Sequence, residues 1–340
     1  MAKTLPFSKG VNFSKWFEFR SVKEIQFERY TEQDFINVKS LGADVIRVPV
    51  AVHNFTTNNN HTLDPLLLKY LDTAVDWAEK RQMFIILDNH SFHPIEPTDV
   101  NIDRILLPVW DQIARHFRDR SGYVIYEVLN EPHGIPDERW GCIQEAAVET
   151  IRRIDQKRAV IVGGTNYNSI EKLFSIPEYK DVNLIYTFHY YDPHLFTHQG
   201  ATWNKPSLAP LSGLPFPADK NRIPKPHDSF TGTWVEKCLE NYMNDANPDK
   251  LSAALDRAAA FAKERDVPVF CGEFGVFIIQ SPPEDRVTWY KFTCDALNRL
   301  DIPWTCWDYY GGFGLFKTVS ARDFNTELNV DVVRAMGFNR

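Results

Sequence analysis

The stretch "VIYEVLNEPHG", Val124–Gly134, decides how the rest of the chain is read. An apolar, β-branched run carries one carboxylate in its body, Glu127, and finishes on Asn130 and Glu131 directly before Pro132. Side chains alternate along a strand, so Glu127, Leu129 and Glu131 share a face, with Glu127 deeper. Proline cannot continue a ladder, so Pro132 ends the strand and is expected to hold Glu131 in an extended conformation. A strand buried on both faces needs no acid at its end, which makes Glu131 a candidate for chemistry. Glu127 is expected to be a buried, paired structural carboxylate.

The same construction recurs along the chain. "DVIRVPV", "MFIILDNH", "AVIVGG", "LIYTFHYY", "VPVFCGEFG" and "IPWTCWDYY" are short apolar runs rich in β-branched and aromatic residues, and "SKGVNFSKW" precedes them. Together with the opening stretch they predict about eight strands, of the kind buried on both faces. Amphipathic helical patterns separate them, among them "PLLLKYLDTAVDWAEKRQ", "ILLPVWDQIARHFRDR", "ERWGCIQEAAVETIRRID" and "KLSAALDRAAAFAKERD". Alternating βα units imply a parallel sheet, and this number of units favours a closed (β/α)8 TIM barrel, an α/β fold, over an open doubly wound sheet. No G-x-G-x-x-G follows the first strand, as a dinucleotide-binding sheet would require.

Residues 1–340 are therefore read as one catalytic domain. Residues 192–248 break the rhythm with the proline-rich "PSLAPLSGLPFPADKNRIPKP" and are read as a long loop after strand six that walls a cleft. Loops of that length are usually functional, and active sites of this architecture lie on the face where it emerges.

Composition narrows the classes of function. The 340 residues are 44% hydrophobic and 24% charged, and the formal charge of -7 with no basic stripe argues against nucleic acid and anionic membrane surfaces. No stretch approaches the roughly 20 apolar residues of a membrane helix. The five cysteines are odd in number and widely spaced, which excludes a disulfide framework and a cysteine zinc site. The start "MAKTLPFSKG" has no long apolar segment and does not read as a secretory signal.

In a barrel the C-terminal ends of the strands converge on one place. Those ends carry Arg47, His90, Asn130 with Glu131, His189 with Tyr191, Glu273, and Trp307. Two carboxylates facing one another, Glu131 and Glu273, are what glycoside cleavage requires: one as proton donor, the other as nucleophile or base. Capping of the following helices is the structural alternative for either acid alone. Arg47 fits either pairing with a barrel carboxylate or holding the nucleophile ionised. A metal site is not expected. His90 and His93, three apart in "DNHSFH", would face opposite sides of a strand, and no H-x-H or H-E-x-x-H occurs. Trp110, Trp140 and Trp289 lie in helical patterns and are read as core. Trp16, Trp203 and Trp307 lie at strand ends or in the long loop, where rings stack on sugars or anchor loops.

These pieces resemble glycoside hydrolase family 5, retaining β-glycanases on a (β/α)8 barrel. The matching segments are "GVNFSKW", "IRVPV", "ILDNHSF", "VLNEPHG", "TFHYYDPHLFTHQGATW", "CGEFG" and "WTCWDYY", in order from first strand to last. The resemblance implies that Glu131 is the general acid/base and Glu273 the nucleophile. It implies that Asn130 binds the sugar 2-hydroxyl and that Arg47 and Tyr191 orient Glu273. His90 and His189 would line the cleavage subsite and Trp307 form its platform. His198, Trp203 and Glu18 would be further sugar contacts. Two departures concern the non-reducing subsites: Ser91 stands where many members have a second histidine, and Lys15 where some carry a polar sugar contact.

The expected function is hydrolysis of internal β-1,4 linkages of cellulose-like or mixed-linkage glucan. β-Mannanase and xyloglucanase activity on the same two-glutamate machinery are the alternatives, with a non-catalytic carbohydrate-binding protein more remote. No cofactor is expected, the partner is a β-glucan polysaccharide or oligosaccharide, and the protein is expected to be a monomer. A polymeric substrate implies extracellular action, with the export signal outside this chain.

Overall fold

A computed structural model describes residues 4–91 and 93–340. Eight parallel strands close on themselves: β1 (Lys9–Asn12), β2 (Val45–Val50), β3 (Phe84–Asn89), β4 (Val124–Glu127), β5 (Val160–Gly163), β6 (Leu184–Tyr190), β7 (Val269–Phe274) and β8 (Trp304–Cys306). Each strand pairs with its neighbours in sequence, and β1 with β8 completes the ring. The helices that follow the strands are α1 (Glu32–Ser40), α2 (Pro65–Glu79), α3 (Asp103–Phe117), α4 (Asp137–Arg152), α5 (Ile170–Leu173), α6 (Pro248–Arg265), α7 (Pro283–Arg299) and α8 (Val330–Ala335).

Local signals place these helices. Asp64 caps α2 by accepting from the Leu66 amide, with Pro65 in the first turn; Asn247 caps α6 in the same way ahead of Pro248. The apolar faces of the helices and the outward faces of the strands form one continuous core. The three tryptophans read as core are buried, and each ties a helix to the barrel through its indole N–H. Trp110 donates to the Val128 carbonyl, Trp140 to that of Gly163 and Trp289 to that of Asp192.

Inside the barrel the two-residue period of the strands sorts side chains into layers. Val45, Ile86, Ile125, Ile161, Ile185 and Phe270 form a dry apolar plug together with Phe7. Two residues further along β2, β3 and β4 come Arg47, Asp88 and Glu127, all buried. The change from apolar to polar layer therefore follows directly from alternation, and it sets the floor of a cleft at the strand ends.

The segment between β6 and α6 packs onto the same continuous core as the helices and the outward strand faces. Phe196, Leu208, Leu211, Leu214, Phe216 and Phe230 are buried, and Gln199 accepts from the Leu214 amide while donating to the Phe196 carbonyl. It includes a helical turn at His194–Thr197 as well as the helices Trp234–Glu240 and Tyr242–Asp245. Of the cysteines, Cys271, Cys294 and Cys306 are buried, Cys238 is half-buried and Cys142 exposed, all as free thiols. No helix is long and apolar enough to cross a membrane among the described residues.

Candidate active site

A cleft of about 1250 Å³ opens over the C-terminal ends of the strands. Glu131, Glu273, His90, His189, Tyr191, His198, Trp203, Trp307 and Glu18 all line it. Arg47 and Asn130 lie beneath, buried in its floor.

Arg47 organises the floor. Its Nε donates to Glu127 Oε2 at 2.7 Å and its Nη2 to Glu127 Oε1 at 2.9 Å, a fork-to-fork pair. The same Nη2 lies 2.8 Å from Asn130 Oδ1 and 3.0 Å from Asp88 Oδ2. Nη1 donates to Asn12 Oδ1 at 2.9 Å and to Glu273 Oε1 at 2.7 Å. Arg47 thus makes both of the contacts its position allows, one with a structural carboxylate and one with a carboxylate facing the cleft. Burial alone would weaken its positive charge, but Asp88, Glu127 and Glu273 around it push its pKa well above the ordinary value. Charge compensation makes the burial tolerable.

Glu273 owes its direction to an irregularity in the sheet. Phe188 of β6 pairs with Cys271 of β7, whereas His189 pairs with Glu273, so Gly272 is an extra residue on β7. Such a bulge re-aims the side chain that follows it. A Cβ at Gly272 would lie 2.8 Å from Thr187 Oγ1 and 3.1 Å from His189 Nε2, so glycine leaves room for both. Glu273 receives Tyr191 Oη–H on Oε2 at 2.9 Å, opposite the Arg47 contact on Oε1.

Glu131 follows the end of β4. The Asn130 amide still donates to the Asn89 carbonyl at 2.9 Å, and the chain then turns at Glu131 with φ +46°. The extended conformation expected from the following proline is therefore not adopted. That preference is worth little against local bonds: the Glu131 carbonyl lies 3.1 Å from His133 Nδ1, and the Pro132 carbonyl accepts from the Tyr167 amide at 3.4 Å. Glu131 Oε1 lies 2.7 Å from His189 Nδ1, and the side chain keeps 14% exposure toward the cleft. Burial raises its pKa to about 7, against the opposing charges of His90 and Arg47. Burial, with a small contribution from Asp88, thus accounts for the shift.

The histidines divide by environment. His90 Nδ1 lies 2.7 Å from Asp88 Oδ2, and although burial opposes its protonation, Asp88 lifts its pKa to about 9. Its ring stacks on Trp307 with centroids 5.5 Å apart. His189 is held neutral, its pKa lowered to about 4 by burial. His198 is likewise pushed well below its ordinary value by burial; it stacks on His194 at 4.0 Å and meets Tyr191 edge-on at 5.1 Å. His93 is exposed, and β3 ends at Asn89, so neither His90 nor His93 lies in a strand and the opposite-faces argument does not apply.

At one rim of the cleft, Glu18 Oε1 sits 3.9 Å from His90 Nε2 and Glu18 accepts from the Lys15 amide. Ser91 is turned away from the cleft floor, donating to Asn89 Oδ1 at 2.6 Å and accepting from the His53 amide at 2.9 Å. Trp203 is 38% exposed and packs edge-on against Phe277 at 5.0 Å. Trp16 is 0% exposed; its indole donates to the Phe27 carbonyl and it packs against Phe13, Phe17, Tyr30 and Trp77. Of its two sequence readings, the sugar platform is excluded and the anchor stands.

Asn12 and Asp88 belong to this network although the sequence reading did not single them out. Asp88 carried the same signal as Glu127, an acid inside an apolar run. Trp234, Tyr167, Phe277 and Phe313 also line the cleft. Glu131, His189 and Glu273 each place one ligand atom within 4.8 Å of the others, the one such grouping among the described residues.

A pair of carboxylates this close, one half-buried with a raised pKa and one buried and fixed by Arg and Tyr at the mouth of a (β/α)8 barrel, defines the machinery of a glycoside hydrolase. Comparison with known proteins agrees: residues 8–312 match the family model Cellulase (glycosyl hydrolase family 5). The chain belongs to that family. It is 27% identical over 334 residues to Endoglucanase 3 of Fibrobacter succinogenes, covering 91% of this chain and 50% of that protein. It therefore spans about half the length of that relative. Endoglucanase C of Acetivibrio thermocellus is 27% identical over 327 residues, covering 89% of this chain and 91% of that protein. Among solved structures, endoglucanase Cel5A of Thermotoga maritima superposes with a TM-score of 0.80 at 23% identity, covering 97% of this chain and 96% of that one. That likeness concerns the fold.

Proposed function

We propose that the protein is a retaining endo-β-1,4-glucanase in which Glu273 is the nucleophile and Glu131 the general acid/base. The observation that carries the reading is the separation of the two acids: a Glu131 oxygen and a Glu273 oxygen lie within 4.8 Å of one another. Retaining enzymes need carboxyl groups about 5–5.5 Å apart, because the second attacks the sugar directly; inverting ones leave about 6.5–9.5 Å for a water.

The steps follow from the geometry. Glu273, its carboxylate held by Arg47 and Tyr191, attacks the anomeric carbon from one face. Glu131, protonated because burial raises its pKa to about 7, gives its proton to the leaving glycosidic oxygen. The bond to that oxygen breaks as the bond to Glu273 forms. Glu131, now a carboxylate, takes a proton from water, whose oxygen displaces Glu273 and restores the β configuration. Asn130, oriented by Arg47, is assigned to the 2-hydroxyl of the sugar at the cleavage point. Trp307, backed by His90, is its platform, and Glu18, His198 and Trp203 extend contacts along the cleft.

The endoglucanase names of the relatives support a β-1,4-glucan backbone, and an open cleft suits the interior of a polymer. A polymer also has to be met outside the cell, so the proposed place of action is extracellular. Initial rates on carboxymethylcellulose, barley β-glucan, glucomannan and xyloglucan test the substrate. Highest kcat/KM on the glucans supports the proposal, and a preference for glucomannan or xyloglucan rejects it.

A further inference from the structure

Immediately after β5, the chain makes three consecutive left-handed residues without glycine: Asn166, Tyr167 and Asn168, with φ of 53°, 60° and 55°. Positive φ is uncommon outside glycine, though asparagine tolerates it best, and such a run persists only where its surroundings over-determine it. Here both ends are tied down. The Tyr167 ring stacks on His133 at 4.3 Å, its hydroxyl donates to the Pro94 carbonyl at 3.2 Å, and its amide donates to the Pro132 carbonyl at 3.4 Å. The segment is thereby fastened to the loop that carries Glu131. Asn168 is fully buried beneath it, and a Cβ at Gly163 would come within 2.5 Å of Asn168 Oδ1, so the carboxamide occupies space that only glycine leaves.

The Asn168 carboxamide faces the far side of the histidine that contacts Glu131. Asn168 Nδ2 lies 3.5 Å from His189 Nε2, while His189 Nδ1 lies 2.7 Å from Glu131 Oε1 and 3.6 Å from Glu273 Oε2. We propose that Asn168 is a positioning residue for the acid. Its amide N–H donates to Nε2 of His189 and so keeps the ring proton on Nδ1, which occupies Oε1 of Glu131 and confines the acid proton to Oε2. This rests on the reading of Glu131 as the general acid/base.

Proton counting supports the assignment. A neutral imidazole has one N–H. On its Nδ1 side stand two carboxylates, both acceptors when ionised, so the N–H belongs there. Nε2 is then a bare, buried acceptor and needs a donor, which the Asn168 amide provides. With Nδ1–H on Oε1, the carboxyl hydrogen of Glu131 can sit only on the other oxygen. Once that proton has left, the same Nδ1–H steadies the carboxylate while Oε2 accepts from water. One hydrogen bond serves both half-reactions without a tautomer change.

The test has two arms. In the first, a long-range 15N–1H spectrum of the wild-type protein identifies the protonated nitrogen of His189, assigned by the loss of its signals in His189→Asn. Nδ1–H with a bare Nε2 is expected; Nε2–H with a bare Nδ1 overturns the proposal. This arm needs no variant of Asn168 to fold and does not depend on what Glu131 does in catalysis.

The second arm is Asn168→Asp, which keeps the size and tolerates the left-handed backbone but presents an acceptor to Nε2. It alters the His189 proton while leaving in place the other charged groups facing the pair. Those are Glu127, Glu273, Arg47 and His90 around His189, and His90, Arg47, His133 and Asp88 around Glu131. The expected outcome is a loss of about tenfold or more in kcat/KM on a cello-oligosaccharide, whose leaving group needs the proton. On 2,4-dinitrophenyl cellobioside, whose leaving group does not, kcat/KM should stay within about twofold. An equal loss on both substrates, or no loss on either, overturns the proposal. Failure of the underlying reading would look different: Glu131→Gln would then reduce both substrates alike, whatever nitrogen of His189 is protonated.

Discussion

Arg47 Nη1 lies 2.7 Å from Glu273 Oε1 while the opposite edge of the same guanidinium forks onto Glu127 at 2.7 and 2.9 Å. A structural carboxylate thus fixes the arginine that fixes the proposed nucleophile. Arg47→Lys keeps a charge but loses the fork and cannot reach Asn12, Glu127, Asn130 and Glu273 together. It is expected to lower kcat/KM by about a hundredfold or more. Stability should fall by about 3 kcal/mol, since buried carboxylates lose their partner. Steady-state kinetics and urea unfolding measure the two effects, and an unaffected kcat/KM would detach Arg47 from Glu273.

Activity should fall as pH rises through about 7, because Glu131 as the proposed acid must be protonated to donate and burial raises its pKa to about 7. The basic limb of kcat/KM for an unactivated oligosaccharide reads this group. In Glu131→Gln that limb should vanish along with about 10²–10⁴-fold of the rate.

The same group makes a prediction for stability. Its folded pKa lies above the ordinary 4.5, so the folded protein holds the proton more tightly than the unfolded chain. The stability this contributes is fully present below about 4.5 and is lost as pH rises through about 7. Glu131→Gln lacks this dependence. Its stability relative to the wild type should therefore rise across that window, by on the order of 3 kcal/mol. Urea midpoints at a series of pH values check this, and a flat difference would mean that Glu131 is not buried enough to shift.

Trp16 and Trp203 should separate cleanly. Trp16→Ala removes a fully buried ring and is expected to cost about 3–5 kcal/mol of stability. Trp203→Ala removes a ring exposed to the cleft and should leave stability nearly unchanged while raising KM about tenfold on long oligosaccharides. Thermal melts and KM values for both variants suffice. A stability loss for Trp203→Ala as large as that for Trp16→Ala would make it a loop anchor.

Where the sequence was legible, it was because burial on both faces leaves a plain signal. The runs containing Arg47, Glu127 and Glu131 read as strands, and the number of such runs alternating with helical patterns points to the barrel that is observed. Polar residues at the ends of those runs mark the cleft, and alternation alone lifts Arg47 and Glu127 one layer above the apolar plug. What was not legible depends on three-dimensional detail. The bulge at Gly272, which turns Glu273 beside His189, is a pairing irregularity with no pattern in a single strand. Trp16 sits at a strand end, yet the side to which its ring points is decided by Phe13, Tyr30 and Trp77. Glu131 departs from the extended backbone favoured before proline because contacts of the Glu131 and Pro132 carbonyls outweigh a weak local preference. Asn168 lies in a short polar turn, and only its burial beside His189 reveals it.

The most direct measurement is the anomeric configuration of the first product. One-dimensional 1H NMR of cellotetraose or a longer cello-oligosaccharide, followed from the first moments of hydrolysis, should show the β-anomer appearing first and the α-anomer only later by mutarotation. Initial appearance of the α-anomer would contradict the paired action of Glu131 and Glu273.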